Sequence, residues 1–594
     1  MKPTVFTSST IDASRGTFLT SWRPYALITL AVLLLFGHTV FFPNFTYLDD
    51  YYMIVEYQHL LTDPAHLLNA FTEDVFHRHQ GGMYYRPLLT WTFILDASLG
   101  GSHPAVYHVS NILYHLLTCF LLMVFFKELG LSRVFAFGSS FFFALHPAVT
   151  QVVVWIPGRN ESLLSLFILL SLIALMRFHS THRLRWLGAH LTCFAFALLT
   201  KESALMLLPL SMLFIGARVN AGVKPLTAHY VLAALGWFFI LLYWHYAREA
   251  AMILRISDYS SAFASLWQNA WTLIPFLGTI VWPWNLFTVA AAEDLSLLPG
   301  LSVAIVFMAV FFSAKEKNWT FFFLGACWFI VFLLPTLYRH PEALYHMRFF
   351  EHRIYLSFIG LLLMAGSISA EQNWKRLLPF LKPGFAVLCV ALAGLTYRHS
   401  FSFSNAMMFS EQTARTSPRN TYYHLEISMM ELPDSLRTTL HFSKRTVSPG
   451  EYYRKLSGIE EDMRSVLVQD ASDIDARLGL GAVYFAMGRL TSAEEELQTI
   501  LSGQPKNAVA QYNLGVLYYH GHFEKLAEQH WLNTLELDPL SKETYRNLCY
   551  LYYRWEDFPD ALRYAEHSIS LGAPVPEELL AELREKANEQ ALQH

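Results

Sequence analysis

Long apolar runs separated by short polar connections dominate the first two thirds of the chain. A helix needs about 20 mainly apolar residues to cross the hydrocarbon core of a bilayer. Runs of roughly that length predict about eleven transmembrane helices. They lie near residues 24–43, 106–126, 133–147, 161–178, 186–199, 203–217, 228–246, 298–314, 319–337, 355–370 and 380–397. We therefore expect a polytopic membrane domain over residues 1–403.

The segment 262–290 interrupts this series. It is apolar enough to cross a membrane, but a crossing there would reverse the distribution of basic residues in the later loops. Its Trp282-Pro283-Trp284 is typical of a membrane interface, where indole rings lie at the depth of the headgroups. We interpret this segment as a re-entrant or interfacial piece on the outer side.

Beyond Ser404 the apolar runs end and a repeat begins. A glycine, a tyrosine, an alanine and a closing proline recur with a period of 34 residues, which is the spacing of tetratricopeptide repeats. In two successive repeats these residues are Gly481, Tyr484, Ala493 and Pro505, then Gly515, Tyr518, Ala527 and Pro539. We predict degenerate helical repeats over 404–472, followed by tetratricopeptide repeats and a C-terminal helix over 473–594. Such an α-solenoid ordinarily binds a peptide or a partner protein.

Composition supports a membrane protein and excludes other classes. Of 594 residues, 54% are hydrophobic and only 15% are charged, which is too apolar for a soluble globule. The formal net charge of -4 offers no basic field for nucleic acid. The five cysteines form no paired spacing, so neither a disulfide framework nor a zinc site is indicated. The first apolar run is too long for a cleaved signal peptide, so we predict a signal-anchor helix.

Basic residues determine the predicted orientation. With the N-terminus inside, every inner connection carries lysine or arginine, as the positive-inside rule requires. These residues are Lys127, Arg133, Arg177, Arg183, Arg185, Arg218, Lys224, Lys315, Lys317, Lys375, Arg376 and Lys382. An odd number of crossings then places the repeats outside. The same side holds a long loop over residues 44–105, in which we expect amphipathic helices lying on the membrane.

Two adjacent carboxylates, Asp49 and Asp50, follow the first helix at the outer boundary of the membrane. Partial burial at that depth can shift the pKa of a carboxyl group. A positioned carboxylate there can remove a proton from an acceptor hydroxyl. The simpler interpretation is a pair of solvated loop acids.

Five cations on the predicted outer side go against the charge rule. They are Arg86, Arg159, Lys201, Arg348 and Arg353. Arginine offers a phosphate group a planar fork and lysine offers it a point charge, so these residues suit a phosphate or pyrophosphate site. Each one alone could instead reach lipid headgroups or pair with an acid such as Glu161, Glu202 or Glu351. Five such cations on the same outer side as Asp49 and Asp50 favour a binding site.

Histidines in the first third of the chain suggest a metal site only weakly. They are His77, His79, His103, His108, His115 and His146. A single His-x-His pattern is weak evidence, because histidines at interfaces and in cores are far commoner than metal ligands. We predict neither a metal nor another cofactor.

Several motifs occur in a fixed order along nearly the whole chain. They are Leu48-Asp49-Asp50, Tyr84-Tyr85-Arg86-Pro87, the segments 108–117 and 143–150, Gly158-Arg159-Asn160-Glu161, Leu199-Thr200-Lys201-Glu202, Glu351-His352-Arg353-Ile354 and the trailing repeats. In this combination the chain resembles the transmembrane and tetratricopeptide-repeat O-mannosyltransferases and their bacterial relatives, within the GT-C glycosyltransferase superfamily. His352 and Ser357 stand where those relatives commonly carry glutamate and proline.

The resemblance implies an all-α chain with a GT-C-type membrane domain. It implies transfer, with inversion, of a mannose-like sugar from a polyprenyl phosphate in the membrane to a hydroxyl of a protein bound by the repeats. Asp49 would then be the catalytic base, with Asp50 beside it. The donor phosphate would be held by Arg86, Arg159, Lys201 and Arg353.

Two other functions stay open at this point. The chain could be a non-catalytic scaffold for envelope assembly, anchored by its membrane helices. A lipid or solute transporter would need ionisable residues at mid-membrane, where Asp96 is the main isolated candidate. The topology fits a bacterial inner membrane with periplasmic repeats, which the short solenoid favours, and also an endoplasmic reticulum membrane with lumenal repeats.

Overall fold

The fold consists of two compact units, Met1–Pro418 and Arg419–His594, which we call the membrane unit and the repeat unit. The computed structural model describes residues 17–42, 49–55, 57–63, 66–76, 84–220, 227–251, 266–283, 286–291, 294–314, 317–337, 348–368, 378–404, 406–417, 449–487, 489–521, 523–571, 575 and 577–591. The domain boundaries predicted from the sequence stay predictions.

Helices form almost all of the regular structure that the described residues contain. The membrane unit has α1 (Thr17–Thr20), α2 (Arg23–Phe36), α3 (Gln58–Leu61), α4 (His66–Asn69), α5 (Pro87–Gly100), α6 (Pro104–Glu128), α7 (Arg133–Leu145), α8 (Thr150–Val154), α9 (Arg159–Thr181), α10 (Leu184–Thr200), α11 (Leu207–Asn220), α12 (Thr227–Ala251), α13 (Leu273–Val281), α14 (Leu298–Ser313), α15 (Trp319–Leu337), α16 (Ile354–Ala365), α17 (Leu378–Ser400) and α18 (Ala406–Thr416). Short 3-10 turns cover Gly37–Phe41, Pro147–Val149, Ile156–Gly158, Glu202–Met206, Ala270–Thr272, Glu351–Arg353 and Phe401–Phe403, and Tyr51–Val55 is a π-helical turn. Strands β1 (Val289–Ala291) and β2 (Arg348–Phe350) pair antiparallel.

The repeat unit is helical throughout its described part. Its helices are α19 (Pro449–Gln469), α20 (Ile474–Ala486), α21 (Leu490–Gly503), α22 (Ala508–His520), α23 (Glu524–Leu537), α24 (Lys542–Arg554), α25 (Phe558–Ser570) and α26 (Glu577–Ala591). Together with the membrane unit, these helices confirm the predicted all-α chain of a membrane region followed by repeats.

Seven of the described helices are long and apolar enough to cross a membrane, which indicates an integral membrane protein. The pair Arg133–Leu145 and Pro147–Val154, bent by 64°, makes an eighth if it counts as one span. Each of the eleven predicted spans is present as a helix. The number of helices long enough to cross is lower than eleven, because α10, α14 and α16 have only 17, 16 and 12 residues. A helix of 17 residues is about 25 Å long, against about 30 Å of hydrocarbon.

Helix α9 is the centre of the membrane unit. It packs against α6, α10, α11 and α16, and its side chains are buried along nearly the whole helix. Ser165 donates to the carbonyl of Glu161, and Ser171 bonds to His190 of α10. Polar groups inside a bilayer must find partners within the protein. These bonds allow α9 to be enclosed on all sides.

Charged residues gather at both ends of α9. Arg159 and Glu161 begin the helix, and Arg177 near its other end contacts the carboxylate of Glu128 at 2.5 Å. Arg159 and Arg177 are about 27 Å apart along the helix axis, which approaches the thickness of the hydrocarbon core. The charges therefore lie where the two faces of a membrane would be.

The segment predicted to be re-entrant is partly described. Its helix α13 has nine residues and is about 14 Å long, too short to cross a bilayer. A Cβ atom on Gly278 would lie 2.8 Å from the backbone nitrogen of Gly300. Glycine thus allows α13 to pack directly on α14. The interfacial position of the segment stays a prediction.

The helix pairs of the repeat unit follow the period of the sequence. Helices α20, α22 and α24 begin 34 residues apart, and so do α21, α23 and α25. A Cβ on Gly515 would lie 2.4 Å from the ring of Trp531, so the glycine of the motif is needed where two helices cross. The predicted tetratricopeptide-type repeats are confirmed.

A hydrogen bond from tyrosine to glutamate recurs with the same period. Tyr518 donates to Glu494 and Tyr552 to Glu528, each at 2.5 Å. Tyr484 donates to Glu460 at 3.4 Å. Because Glu460 lies on α19, this helix occupies the position of a second repeat helix, one repeat before α21.

Candidate active site

The two candidate acids differ in their exposure. Asp50 is buried, whereas Asp49 is partly exposed. Burial and, to a smaller extent, the charge of Asp50 raise the pKa of Asp49, the charge of Arg86 opposes them, and the resulting pKa is about 6. A carboxyl group with a pKa this close to neutrality can exchange a proton with a substrate near physiological pH. The pKa of Asp49 therefore suits proton exchange near neutral pH, and its role as a base stays a prediction.

Arg86 stands immediately before α5 and is held by an ion pair. Its Nε and Nη2 atoms donate to Oε2 of Glu202, at 3.2 Å and 2.9 Å. The ring of Tyr84 lies 4.5 Å from the guanidinium. Among the described residues, Oε1 of Glu202 has no hydrogen-bond partner. The guanidinium is thus fixed in orientation by one oxygen and one ring.

Lys201 occupies the connection after α10. Its ammonium contacts the carboxylate of Glu161, and both side chains are mostly buried. Burial lowers the pKa of Lys201, and the charge of Glu161 opposes that shift. The ammonium of Lys201 is a point charge at the end of the helix bundle, where it can meet an anionic ligand.

Arg353 ends the short turn Glu351–Arg353 that follows β2. Its guanidinium lies 5.1 Å from the ring of Phe350. The turn is anchored from behind, because Oε2 of Glu351 is 2.8 Å from Nε2 of His399 in α17. Arg353 lies within electrostatic range of both Arg86 and Lys201.

Asp49, Arg86, Lys201 and Arg353 therefore form one acid–cation cluster. Arg86 is its common member, since its charge acts on the other three. The four residues come from four segments that are distant in the sequence, so only the fold brings them together. Cations held in fixed positions at a partly buried site can stabilise an anionic group.

Arg159 lies apart from this cluster in its environment and its bonding. It is fully buried. Its Nη1 lies 2.5 Å from Oδ2 of Asp96, its Nε donates to Asn111 at 2.7 Å, and its Nη2 donates to the carbonyl of Tyr107 at 2.8 Å. The guanidinium joins α5, α6 and α9. Its donors are already used inside the protein, and the phosphate-binding role predicted for Arg159 stays a prediction. The same ion pair occupies the carboxylate of Asp96, which was the candidate for a transporter at mid-membrane.

We expect Asp96→Asn to destabilise the membrane unit by about 3–5 kcal/mol, because removing one partner of a buried pair leaves the other charge uncompensated. The measurement is the thermal unfolding midpoint of the purified protein in detergent. Ser98→Ala, on the exposed side of the same helix, is the matched control and should change little. An unchanged midpoint in Asp96→Asn would contradict the structural role of the pair.

Sequence reasoning missed two residues near the cluster, Gln151 and His352. His352 entered only as a departure from the family, and Gln151 was not singled out. Both are buried, and they bond to each other. The available signal was Gln151 itself, a polar side chain within the apolar segment 148–156, since buried polar groups need specific partners.

No cluster of three or more His, Cys, Asp or Glu side chains suited to a metal ion occurs within the described ranges. His77 and His79 lie outside those ranges. The absence of a metal and of any other cofactor stays a prediction.

Curated relatives of this chain are protein O-mannosyl-transferases from animals. Mouse Protein O-mannosyl-transferase TMTC2 is 35% identical over 136 residues, which are 22% of this chain and 16% of that protein. Protein O-mannosyl-transferase F38B6.6 of Caenorhabditis elegans is 37% identical over 118 residues, 18% of this chain and 16% of that protein. Human TMTC4 is 31% identical over 154 residues, 22% and 20% of the two chains. These relatives confirm the resemblance drawn from the motifs, and the chain spans at most a fifth of their length.

No family model matches the chain. Among solved structures, MamA from Desulfovibrio magneticus RS-1 is 18% identical over 28% of this chain and 83% of that chain, with a TM-score of 0.20. A crystal structure of MamA is 16% identical over 32% and 96%, with a TM-score of 0.21. At such low scores no conclusion is drawn from the likeness.

Proposed function

We propose that this chain is a membrane glycosyltransferase that transfers a mannose-like sugar from a polyprenyl phosphate to a protein hydroxyl. The observation that carries this function is the acid–cation cluster at one end of a bundle of apolar helices. A lipid-linked phosphosugar requires both parts, cations for its phosphate and an apolar surround for its chain. The names of the relatives suggest mannose as the sugar and a protein as the acceptor.

Asp49 would act as the general base. Its carboxylate accepts the proton of the acceptor hydroxyl, and the hydroxyl oxygen attacks the anomeric carbon of the donor sugar. The bond between that carbon and the phosphate oxygen breaks, and the phosphate leaves with the electron pair. A single displacement of this kind inverts the anomeric configuration.

Arg86, Lys201 and Arg353 would bind the phosphate and stabilise the negative charge that grows on it as it leaves. Glu202 and Glu161 hold Arg86 and Lys201 before the donor arrives. Cations already in position need little reorganisation during the reaction, which is the main source of electrostatic catalysis. Arg159 is left out of this assignment because of its buried partners.

The pH dependence of the rate tests the role of Asp49. Only the carboxylate form can accept a proton, and its pKa is raised to about 6. We expect kcat/KM to fall about tenfold for each pH unit below about 6 and to level off above it. Initial rates measured between about pH 5 and pH 8 would reveal this limb. A rate independent of pH over this range would speak against Asp49 as the base.

A transfer assay tests the function itself. Purified full-length protein in lipid nanodiscs would be given radiolabelled polyprenyl phosphate mannose and peptides rich in serine and threonine. We expect the label to appear on a peptide hydroxyl. Omission of the lipid carrier, with GDP-mannose supplied instead, should abolish the transfer. Transfer from GDP-mannose alone, or no transfer from any lipid-linked donor, would contradict the proposed function.

The repeat unit would present the acceptor polypeptide to the membrane unit, on the periplasmic side of a bacterial inner membrane or on the lumenal side of the endoplasmic reticulum. A non-catalytic scaffold would have no need of a half-buried acid beside three cations. We therefore prefer the enzyme to the scaffold.

A further inference from the structure

A buried histidine, His352, directly precedes Arg353 of the acid–cation cluster and has no role in the reaction above. It is 7% exposed, and the charges of Lys201, Arg353 and Arg86 act on it. The rings of Trp155 and Phe350 have their centroids 5.2 Å and 5.3 Å from that of the imidazole. The two rings are themselves 6.5 Å apart, so the imidazole packs against both and its rotation is restricted.

Gln151 determines which nitrogen of His352 carries the proton. The amide nitrogen of Gln151 donates to the carbonyl of Thr288 at 2.9 Å, which fixes the orientation of the amide. The amide oxygen accepts the backbone N–H of His352 at 2.7 Å and lies 3.3 Å from its Nδ1 atom. An amide oxygen can only accept, so Nδ1 must be the protonated nitrogen. The lone pair of the ring is therefore on Nε2.

The imidazole is neutral in this setting. Burial holds the pKa of His352 well below its ordinary value, and the charges of Lys201, Arg353 and Arg86 lower it further. A neutral imidazole protonated on Nδ1 offers a single hydrogen-bond acceptor, Nε2. A phosphate oxygen is also an acceptor and cannot pair with it. The group that fits Nε2 is a donor such as a hydroxyl.

We propose that Nε2 of His352 accepts a hydrogen bond from one hydroxyl of the donor sugar, and that it thereby selects the sugar and orients its anomeric carbon. This inference rests on the proposed function. The sugar is bonded directly to the phosphate, so an acceptor among the phosphate-binding cations lies next to the hydroxyls of the ring. A site built to bond a hydroxyl rejects the analogue that lacks it far better than an apolar pocket does.

The variant His352→Asn separates this role from a structural one. The asparagine amide can still donate to Gln151, as Nδ1 does, but it has no group in the place of Nε2. We expect kcat/KM for polyprenyl phosphate mannose to fall about tenfold, the effect of one lost hydrogen bond in the transition state. His182→Asn, in the connection between α9 and α10, is the matched control, because asparagine accepts the left-handed backbone of that position, and it should leave both kinetic constants unchanged.

Donor analogues that lack one ring hydroxyl each identify the bond. With the wild-type protein, kcat/KM for one of these analogues should be about tenfold below that for the intact donor. With His352→Asn, the same analogue and the intact donor should give equal kcat/KM values, because the two changes remove the same interaction. If every analogue loses the same factor in both proteins, no sugar hydroxyl bonds to His352. Should His352→Asn fold poorly, the analogues decide in the wild-type protein alone, where one of them must lose about tenfold and the others little.

Different results would contradict the proposed function and the role of His352. A wild-type protein that transfers no sugar from polyprenyl phosphate mannose contradicts the proposed function, and the role of His352 falls with it. A wild-type protein that transfers sugar, with an equally active His352→Asn that keeps the same preference among the analogues, contradicts the role of His352 alone.

Discussion

Asp49→Asn should reduce sugar transfer by about 100- to 10,000-fold, the range over which a positioned general base accelerates a reaction. The amide keeps the shape of the side chain but cannot accept the proton of the acceptor hydroxyl. Binding of the lipid donor should change little, because the phosphate is held by cations. The measurement is the single-turnover rate with saturating polyprenyl phosphate mannose, beside a donor-binding isotherm.

Stability separates this loss of activity from a loss of structure. The pKa of Asp49 is raised from 3.8 to about 6 in the folded protein. At a pH above 3.8, the charged form of Asp49 is therefore less favourable in the folded protein than in the unfolded one, and it lowers the stability. Removing the charge should therefore keep or raise the thermal midpoint at neutral pH. Asp50→Asn is the matched control, with a smaller effect on the rate. Full activity in Asp49→Asn would place the base on another residue.

Arg86→Gln should lower kcat by about 100- to 1,000-fold, the usual cost of removing one group that stabilises charge in the transition state. Arg86 has the largest expected effect among the three cations because its charge acts on Asp49, Lys201 and Arg353. Arg86→Lys should recover only part of the rate, since a lysine replaces the planar fork by a point charge.

Two controls accompany this variant. Glu202→Gln keeps the cation and removes its anchor, so it should cost less than Arg86→Gln. Arg177→Gln removes an arginine that is also paired with a glutamate, Glu128. This pair lies near the end of α9 opposite to Glu161, the partner of Lys201, and so away from the acid–cation cluster. The transfer rate of Arg177→Gln should stay within about twofold of the wild-type value, because surface ion pairs contribute little. Equal losses in Arg86→Gln and Arg177→Gln would mean that the effect is general and not local to the cluster.

Much of the fold could be predicted because its signals are periodic. Apolar runs located eleven of the helices in the membrane unit, and the spacing of Gly481, Tyr484 and Ala493 gave the register of the repeats. The number of crossings was harder to predict. Hydropathy measures how apolar a segment is, whereas the end of α7 at Leu145 and the short length of α16, 12 residues, depend on more than that. Where a helix stops inside an apolar run depends on packing that the sequence pattern does not contain.

The candidate site was predictable in its residue types but not in its pairings. The charge rule singled out Arg86, Lys201 and Arg353, whose charges act on one another in the fold, and their role at a donor phosphate stays a prediction. The same signal did not distinguish Arg159, whose buried bond to Asp96 depends on how α5 crosses α9. The bond between Gln151 and His352 joins residues 201 positions apart. Contacts of that range come from the fold, and only the structure reveals them.

The most direct test of the account is an experimental structure of the full chain with a non-transferable phosphonate analogue of polyprenyl phosphate mannose. We predict that the phosphonate oxygens contact Arg86, Lys201 and Arg353, and that the anomeric carbon faces Asp49 across the space for an acceptor hydroxyl. A phosphonate bound away from these three cations, or an anomeric carbon turned away from Asp49, would contradict it.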